Sequence, residues 1–107
     1  MSVPEPGTEA TPAEVSAEDA TLLVLARSVA ARGGGSGAAV RDETGRTYVG
    51  GAVALRSLSL TAVQSATAAA FGSGARRIEA VAVVGASATL ADVELLAELG
   101  SPRVHSG

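Results

Sequence analysis

Cysteine and histidine, the side chains that most often act as nucleophile, base or zinc ligand, are scarce in this sequence. Cysteine is absent, which excludes disulfide bonds and thiolate metal sites. The only histidine is His105, near the end of the sequence, where we expect a solvated side chain rather than a ligand, because zinc requires three protein donors. Nucleophilic catalysis is not supported either, since no partner histidine accompanies the candidate serines. These serines are Ser57, Ser59, Ser65 and Ser73.

Two further segments contain residues that can bind phosphate, but their positions in the sequence argue against that function. Residues 33–37 read GGGSG, but the Gly-Lys-Ser/Thr ending of a phosphate loop is missing, and the segment would lead from a helix into a strand. We therefore expect a flexible connection there. Arg76 and Arg77 are expected in a solvated loop before a buried strand, with phosphate contact as the alternative.

Short patterns predict where three helices begin. Ser16, followed by Glu18 and Asp19, resembles a capping box with an acidic first turn that suits the helix dipole. Residues 61–64, TAVQ, fit the capping-box pattern T-x-x-Q, and residues 89–92, TLAD, fit it with aspartate in the last position. Threonine at both starts is explained by the cost of an uncapped helix, about 1 kcal/mol.

Composition predicts one small domain with a core of small side chains. The chain has 107 residues, of which 47% are hydrophobic and 2% aromatic. We therefore expect close backbone packing rather than large interdigitating side chains. The net charge of -3 and the lack of a basic stripe argue against nucleic acid. Because no membrane span or signal peptide is recognised, we expect a cytoplasmic protein with no membrane partner.

The first residues differ in composition from the rest. Residues 1–15 hold three of the four prolines, together with Glu5, Glu9 and Glu14. Such a segment buries too little apolar surface to offset its ordering entropy, so we predict a disordered acidic tail followed by one domain at residues 16–107. The alternative function for this tail is an acidic docking arm.

Hydrophobic spacing and turn residues predict an α/β fold in the order α-β-β-α-β-α. Helices are predicted at residues 17–32, 61–71 and 89–99, and strands at residues 37–42, 46–55 and 78–84, with a short last strand near 103–104. Gly50 and Gly51 indicate a bulge or a close backbone approach inside the second strand. The last helix is expected to bury Leu90, Val93, Leu96 and Ala97. We expect helices packed on a mixed sheet of three or four strands.

Several strings in this order resemble the cytidine deaminase family, over residues 22–99. They are GAA at 37–39 followed by a glycine turn and YVG at 48–50, LTAVQ at 60–64, AVAVV at 80–84 and DVELLAEL at 92–99. The resemblance implies a three-layer sandwich, with a small mixed sheet flanked by helices.

The resemblance also assigns site positions, and the residues there lack the family's chemistry. The family binds zinc at two helix starts and uses a glutamate to move the proton. The first zinc ligand falls on Ala62, the glutamate on Gln64, and the two cysteines on Thr89 and Asp92. The ribose-binding side chains fall on Ala52 and Ala54. We therefore expect no catalytic residue, no metal site and no cofactor, the polar residues serving as helix caps. The alternative is a relic pocket in which Gln64, Thr89 and Asp92 still bind a neutral ligand.

These residues favour a non-catalytic binding or assembly module that resembles a zinc-less cytidine deaminase. The main alternative is an active deaminase that converts cytidine to uridine with an unorthodox site, and another is a stabiliser of an unknown protein partner. The resemblance implies a homo-oligomer, and Ala66, Ala68, Ala69 and Ala70 would allow a second helix to approach closely.

Overall fold

The computed structural model describes residues 15–32 and 34–107. The predicted tail, residues 1–15, therefore lies outside the described residues apart from Val15, as does Gly33. The helices are α1 (Ala17–Arg32), α2 (Ala62–Gly72) and α3 (Leu90–Ala97). The strands are β1 (Gly37–Asp42), β2 (Thr47–Gly51), β3 (Val53–Ala54), β4 (Ser59–Leu60), β5 (Ile78–Val84) and β6 (Arg103–Ser106). The three helices and the strands at 37–42, 78–84 and 103–106 agree with the sequence-based predictions.

A four-stranded mixed sheet forms the centre of the fold, in the order β2-β1-β5-β6. β1 is antiparallel to both β2 and β5, whereas β6 runs parallel to β5. The prediction of one continuous strand over residues 46–55 is wrong. β2 stops at Gly51 because Gly51 pairs with Gly37, which is the first residue of β1. The chain then forms β3, which pairs with β4 in a separate two-stranded ribbon.

Helices cover both faces of the sheet, as the three-layer prediction requires. Residues of β5 alternate between the two sides: Val81 and Val83 pack with α2 and α3, whereas Ala80 and Ala82 pack with α1. The predicted apolar face of α3 is only partly correct. Leu96 is buried, but Leu90 is 75% exposed and Val93 is 53% exposed, because α3 turns Asp92 toward the interior instead.

Glycines allow both flanking layers to approach the sheet closely. A Cβ atom built on Gly50 would lie 2.7 Å from the backbone carbonyl carbon of Ser65 in α2. One built on Gly37 would lie 2.7 Å from the backbone nitrogen of Ala30 in α1. Side chains cannot occupy these positions, so the close backbone approach predicted at Gly50 is confirmed.

A buried charge cluster joins α1 to β1 and β6. The Asp19 carboxylate is 2% exposed and contacts Arg41 at 2.9 Å, Arg103 at 3.2 Å and His105 at 2.8 Å. Burial works to raise the pKa of Asp19, but hydrogen bonds from His105, Arg103 and Arg41 outweigh it and lower the pKa to about 2. The expectation of a solvated His105 is wrong. Its side chain is 16% exposed, because β6 joins the sheet and places the ring against Asp19.

Candidate functional site

The N-termini of α2 and α3 lie next to each other, and each is capped by the predicted capping box. Thr61 Oγ1 accepts a hydrogen bond from the Gln64 backbone N–H at 3.0 Å, and Gln64 Oε1 accepts one from the Thr61 backbone N–H at 2.9 Å. Thr89 and Asp92 exchange the equivalent bonds, each at 3.0 Å. These bonds satisfy backbone donors that have no partner inside the helix. The interpretation of both patterns as helix caps is confirmed.

A direct hydrogen bond joins the two helix starts. The Thr61 hydroxyl donates to Asp92 Oδ1 at 2.6 Å, while Asp92 Oδ2 accepts the backbone N–H of Thr89. Asp92 is 2% exposed, so water does not solvate its carboxylate. The two hydrogen-bond donors and the positive end of the helix dipole stabilise it instead. Sequence reasoning missed this bond, because the two residues are 31 positions apart and each already has a partner within its own cap.

A cavity of about 360 Å³ opens beside these helix starts, and most of its lining is apolar. It brings together every position that the resemblance assigned to zinc binding, proton transfer or ribose binding. These residues are Ala52, Ala54, Ala62, Gln64, Thr89 and Asp92. The ribbon of β3 and β4 forms one wall, through Val53 and Leu60, and the end of β5 contributes Val83.

The other sequence candidates lie elsewhere, with one exception. Ser59 lines the cavity, whereas Ser57, Ser65, Ser73 and His105 do not. The backbone N–H groups of Arg76 and Arg77 donate to the carboxylate of Glu43. Both arginines are exposed, as expected for a solvated loop.

Over the described ranges, no helix is long and apolar enough to cross a membrane.

Comparison with known families decides the relationship of this chain. A sequence model described as cytidine deaminase-like matches residues 15–105, which is most of the chain. The chain belongs to the cytidine deaminase-like family. No curated protein sequence matches it. The predicted resemblance is therefore confirmed at the level of the family.

Solved cytidine deaminases share the fold. Cytidine deaminase from Mycobacterium leprae is 24% identical with a TM-score of 0.68, over 81% of this chain and 84% of that chain. The enzyme from Burkholderia pseudomallei is also 24% identical, with a TM-score of 0.69, over 81% and 80% of the two chains. Cytidine deaminase from Mycobacterium tuberculosis is 25% identical with a TM-score of 0.58, over 67% and 64%. This cytidine deaminase-like chain therefore has the predicted cytidine deaminase-like α/β sandwich.

The zinc of this normally zinc-dependent family can be tested against the residues that line the cavity. A catalytic zinc site takes three protein ligands, chiefly histidine, cysteine and carboxylate. Asp92 supplies the one carboxylate among the described residues that line the cavity, so at most one ligand of this kind is present. Ala62 has no donor atom, and in the part of the chain that the structure describes no group of three histidine, cysteine, aspartate or glutamate side chains could hold a metal ion. The donors beside the cavity do not fit zinc.

Proposed function

We propose that this cytidine deaminase-like protein does not deaminate cytidine and acts as a non-catalytic binding or assembly module. The observation that carries the proposal is the hydrogen bonding of Gln64. Its amide oxygen accepts the backbone N–H of Thr61 at 2.9 Å, which holds the side chain as part of a helix cap. A carboxamide does not exchange a proton near neutral pH, so Gln64 does not replace the family's glutamate.

The neighbouring positions support the same proposal. A water molecule is activated for attack on the base by zinc in this class of deaminase, and Ala62, Thr89 and Asp92 do not supply the ligand set for it. Ala52 and Ala54 line the cavity with methyl groups where the family carries polar side chains for ribose. A nucleoside would therefore lose hydrogen bonds to its sugar as well as the activated water.

Metal analysis and an activity assay test this proposal on one sample. We expect purified full-length protein to contain far less than one zinc per chain and to release no uridine from cytidine. Cytidine deaminase from Mycobacterium leprae, assayed in parallel, is the positive control. One zinc per chain together with turnover of cytidine would instead establish an active deaminase with an unorthodox site.

Assembly is the second part of the proposal, and α2 provides a limited surface for it. Ala68 and Ala69 are exposed, so a second copy could approach the helix there. Ala66 and Ala70 are fully buried in the chain's own core and are not available for contact. Size-exclusion chromatography with light scattering should give a dimer or a larger assembly. A stable monomer at micromolar concentration would contradict self-association.

A further inference from the structure

The cavity carries a single charged group, and this group is a buried carboxylate. Among the described residues that line the cavity, Asp92 is the only charged one. We infer that the cavity binds a small organic cation, in which a protonated amine contacts Asp92 and an apolar group fills the rest. This inference rests on the proposed loss of zinc chemistry and names the ligand class of the same site.

The surroundings of Asp92 differ from those of Asp19 and Asp42, the two other acids that are 2% exposed among the described residues. The carboxylate of Asp42 accepts four hydrogen bonds, from Thr44, the backbone of Arg46 and Tyr48, and does not line the cavity. Asp19 contacts Arg41, Arg103 and His105, so its charge is balanced within the protein. Asp92 forms no ion pair with any described residue, and its partners are the neutral hydroxyl of Thr61 and the backbone N–H of Thr89.

Asp92 has acceptor capacity left for a ligand. Each carboxylate oxygen of Asp92 accepts one hydrogen bond, whereas an ionised carboxylate has about four acceptor positions in total. Asp92 accepts two hydrogen bonds where Asp42 accepts four, and a protonated amine at one of the free positions would add a charge-assisted hydrogen bond. A protonated amine is therefore the complement of this site.

The other residues that line the cavity indicate which substituent the amine should have. Val53, Leu60, Ala62 and Val83 contribute apolar surface, and no arginine or histidine is among the described lining residues. A carboxylate or phosphate would approach the charge of Asp92 without a balancing cation. The volume of about 360 Å³ lies at the lower end of the range of small-molecule sites, which suits one ring or a short branched chain.

Three probes of nearly equal shape test the inference: benzylamine, benzyl alcohol and benzoate. Titration calorimetry near neutral pH should show benzylamine binding at least about tenfold more tightly than benzyl alcohol, since a charge-assisted hydrogen bond replaces a neutral one. Benzoate should bind most weakly. Equal binding of the amine and the alcohol, or no binding of the amine, would overturn the inference.

Two variants and one control assign the binding to the cavity. Asp92→Asn should remove the preference for benzylamine, whereas Glu94→Gln, an exposed acid of the same helix, should retain it. Because Asp92→Asn also weakens the cap of α3, a second variant leaves that cap intact. Ala52→Leu fills the cavity from an exposed position and should weaken benzylamine binding about tenfold or more. Unchanged benzylamine binding in a folded Ala52→Leu protein would place the amine elsewhere.

Zinc content and cytidine turnover, measured on the same sample, separate the two proposals. A zinc-containing, active sample would contradict the proposed function. A zinc-free, inactive sample without an amine preference would overturn only the ligand class inferred here.

Discussion

Replacement of Asp19 by asparagine keeps the size of a buried side chain and removes its charge. The amide would leave Arg41, whose side chain is 11% exposed, with Glu79 at 3.3 Å as its remaining anionic contact among the described residues. Removing one member of a buried ion pair costs about 3–5 kcal/mol. We expect Asp19→Asn to lower the free energy of unfolding near neutral pH by about 3 kcal/mol, because Glu79 still compensates Arg41 in part.

The pH dependence supplies a second magnitude for the same residue. The folded-state pKa of Asp19 is about 2, below its ordinary value of 3.8, because hydrogen bonds from the two arginines and His105 outweigh the effect of burial. Ionised Asp19 therefore stabilises the fold above about pH 4, and this contribution is lost as the pH falls toward 2. The shift corresponds to about 2 kcal/mol.

The difference in unfolding free energy between wild type and Asp19→Asn isolates the contribution of Asp19 from that of other acids. Asp42 is one such acid: burial works to raise its pKa, but hydrogen bonds from Thr44, Arg46 and Tyr48 lower it, so it also loses stabilising interactions at low pH. Asp42 is present in both proteins, so its pH-dependent contribution does not affect the difference between their unfolding free energies. The gap in unfolding free energy between wild type and Asp19→Asn should therefore narrow by about 2 kcal/mol between about pH 6 and pH 2.

Urea unfolding followed by circular dichroism measures this gap, since the chain has no tryptophan for fluorescence. Glu94→Gln is the control, because Glu94 is an exposed acid on α3, outside the cluster of Asp19. Its stability should follow that of the wild type at each pH. A gap for Asp19→Asn that stays constant with pH, or a variant as stable as wild type near neutral pH, would refute the assignment of the buried charge.

Two further substitutions test the helix starts and the close packing. Thr61→Val removes a helix cap and the hydrogen bond to Asp92, so the free energy of unfolding should fall by about 2–4 kcal/mol. Thr21→Val, at an exposed position of α1, should change it by less than about 1 kcal/mol, and similar losses would contradict the bond between the helix starts. Gly50→Ala forces a Cβ atom into the backbone of α2 and should cost at least about 2 kcal/mol. Gly72→Ala meets no atom within 4 Å and should be neutral or slightly stabilising in the same urea assay, whereas equal effects would argue against the close approach.

Local sequence patterns predict the helix caps, whereas contacts between residues far apart in the sequence could be found only in the structure. The bonds between Thr61 and Gln64, and between Thr89 and Asp92, span three residues and could be inferred from the order of the letters. Ser16 likewise accepts the backbone N–H of Asp19 at 3.1 Å, as its position suggested. The carboxylate of Asp19 instead contacts Arg41, Arg103 and His105, which no local rule could predict.

The same limit explains the errors at the second strand and at His105. The turn before residue 46 predicts a return strand but not its length, because the place where β2 loses its partner depends on the register of Gly37 with Gly51. No residue adjacent to His105 in the sequence predicts an acidic partner. Its neighbour Asp19 lies 86 positions away, on the first helix. At the candidate site, the family resemblance grouped residues around one cavity, but the bond from Thr61 to Asp92 required the structure.

The contacts of Asp19 with β6 also constrain the order in which the chain assembles. They connect positions 84 and 86 residues apart, so they close almost the whole described chain into one loop. The entropy of loop closure makes such contacts slow to form, and they are favourable only after the intervening sheet has brought the ends together. During synthesis from the N-terminus, α1 and β1 emerge before β6. The full set of contacts of Asp19 therefore forms only after β6 has joined the sheet, and Arg41 is its cationic partner on the earlier strands.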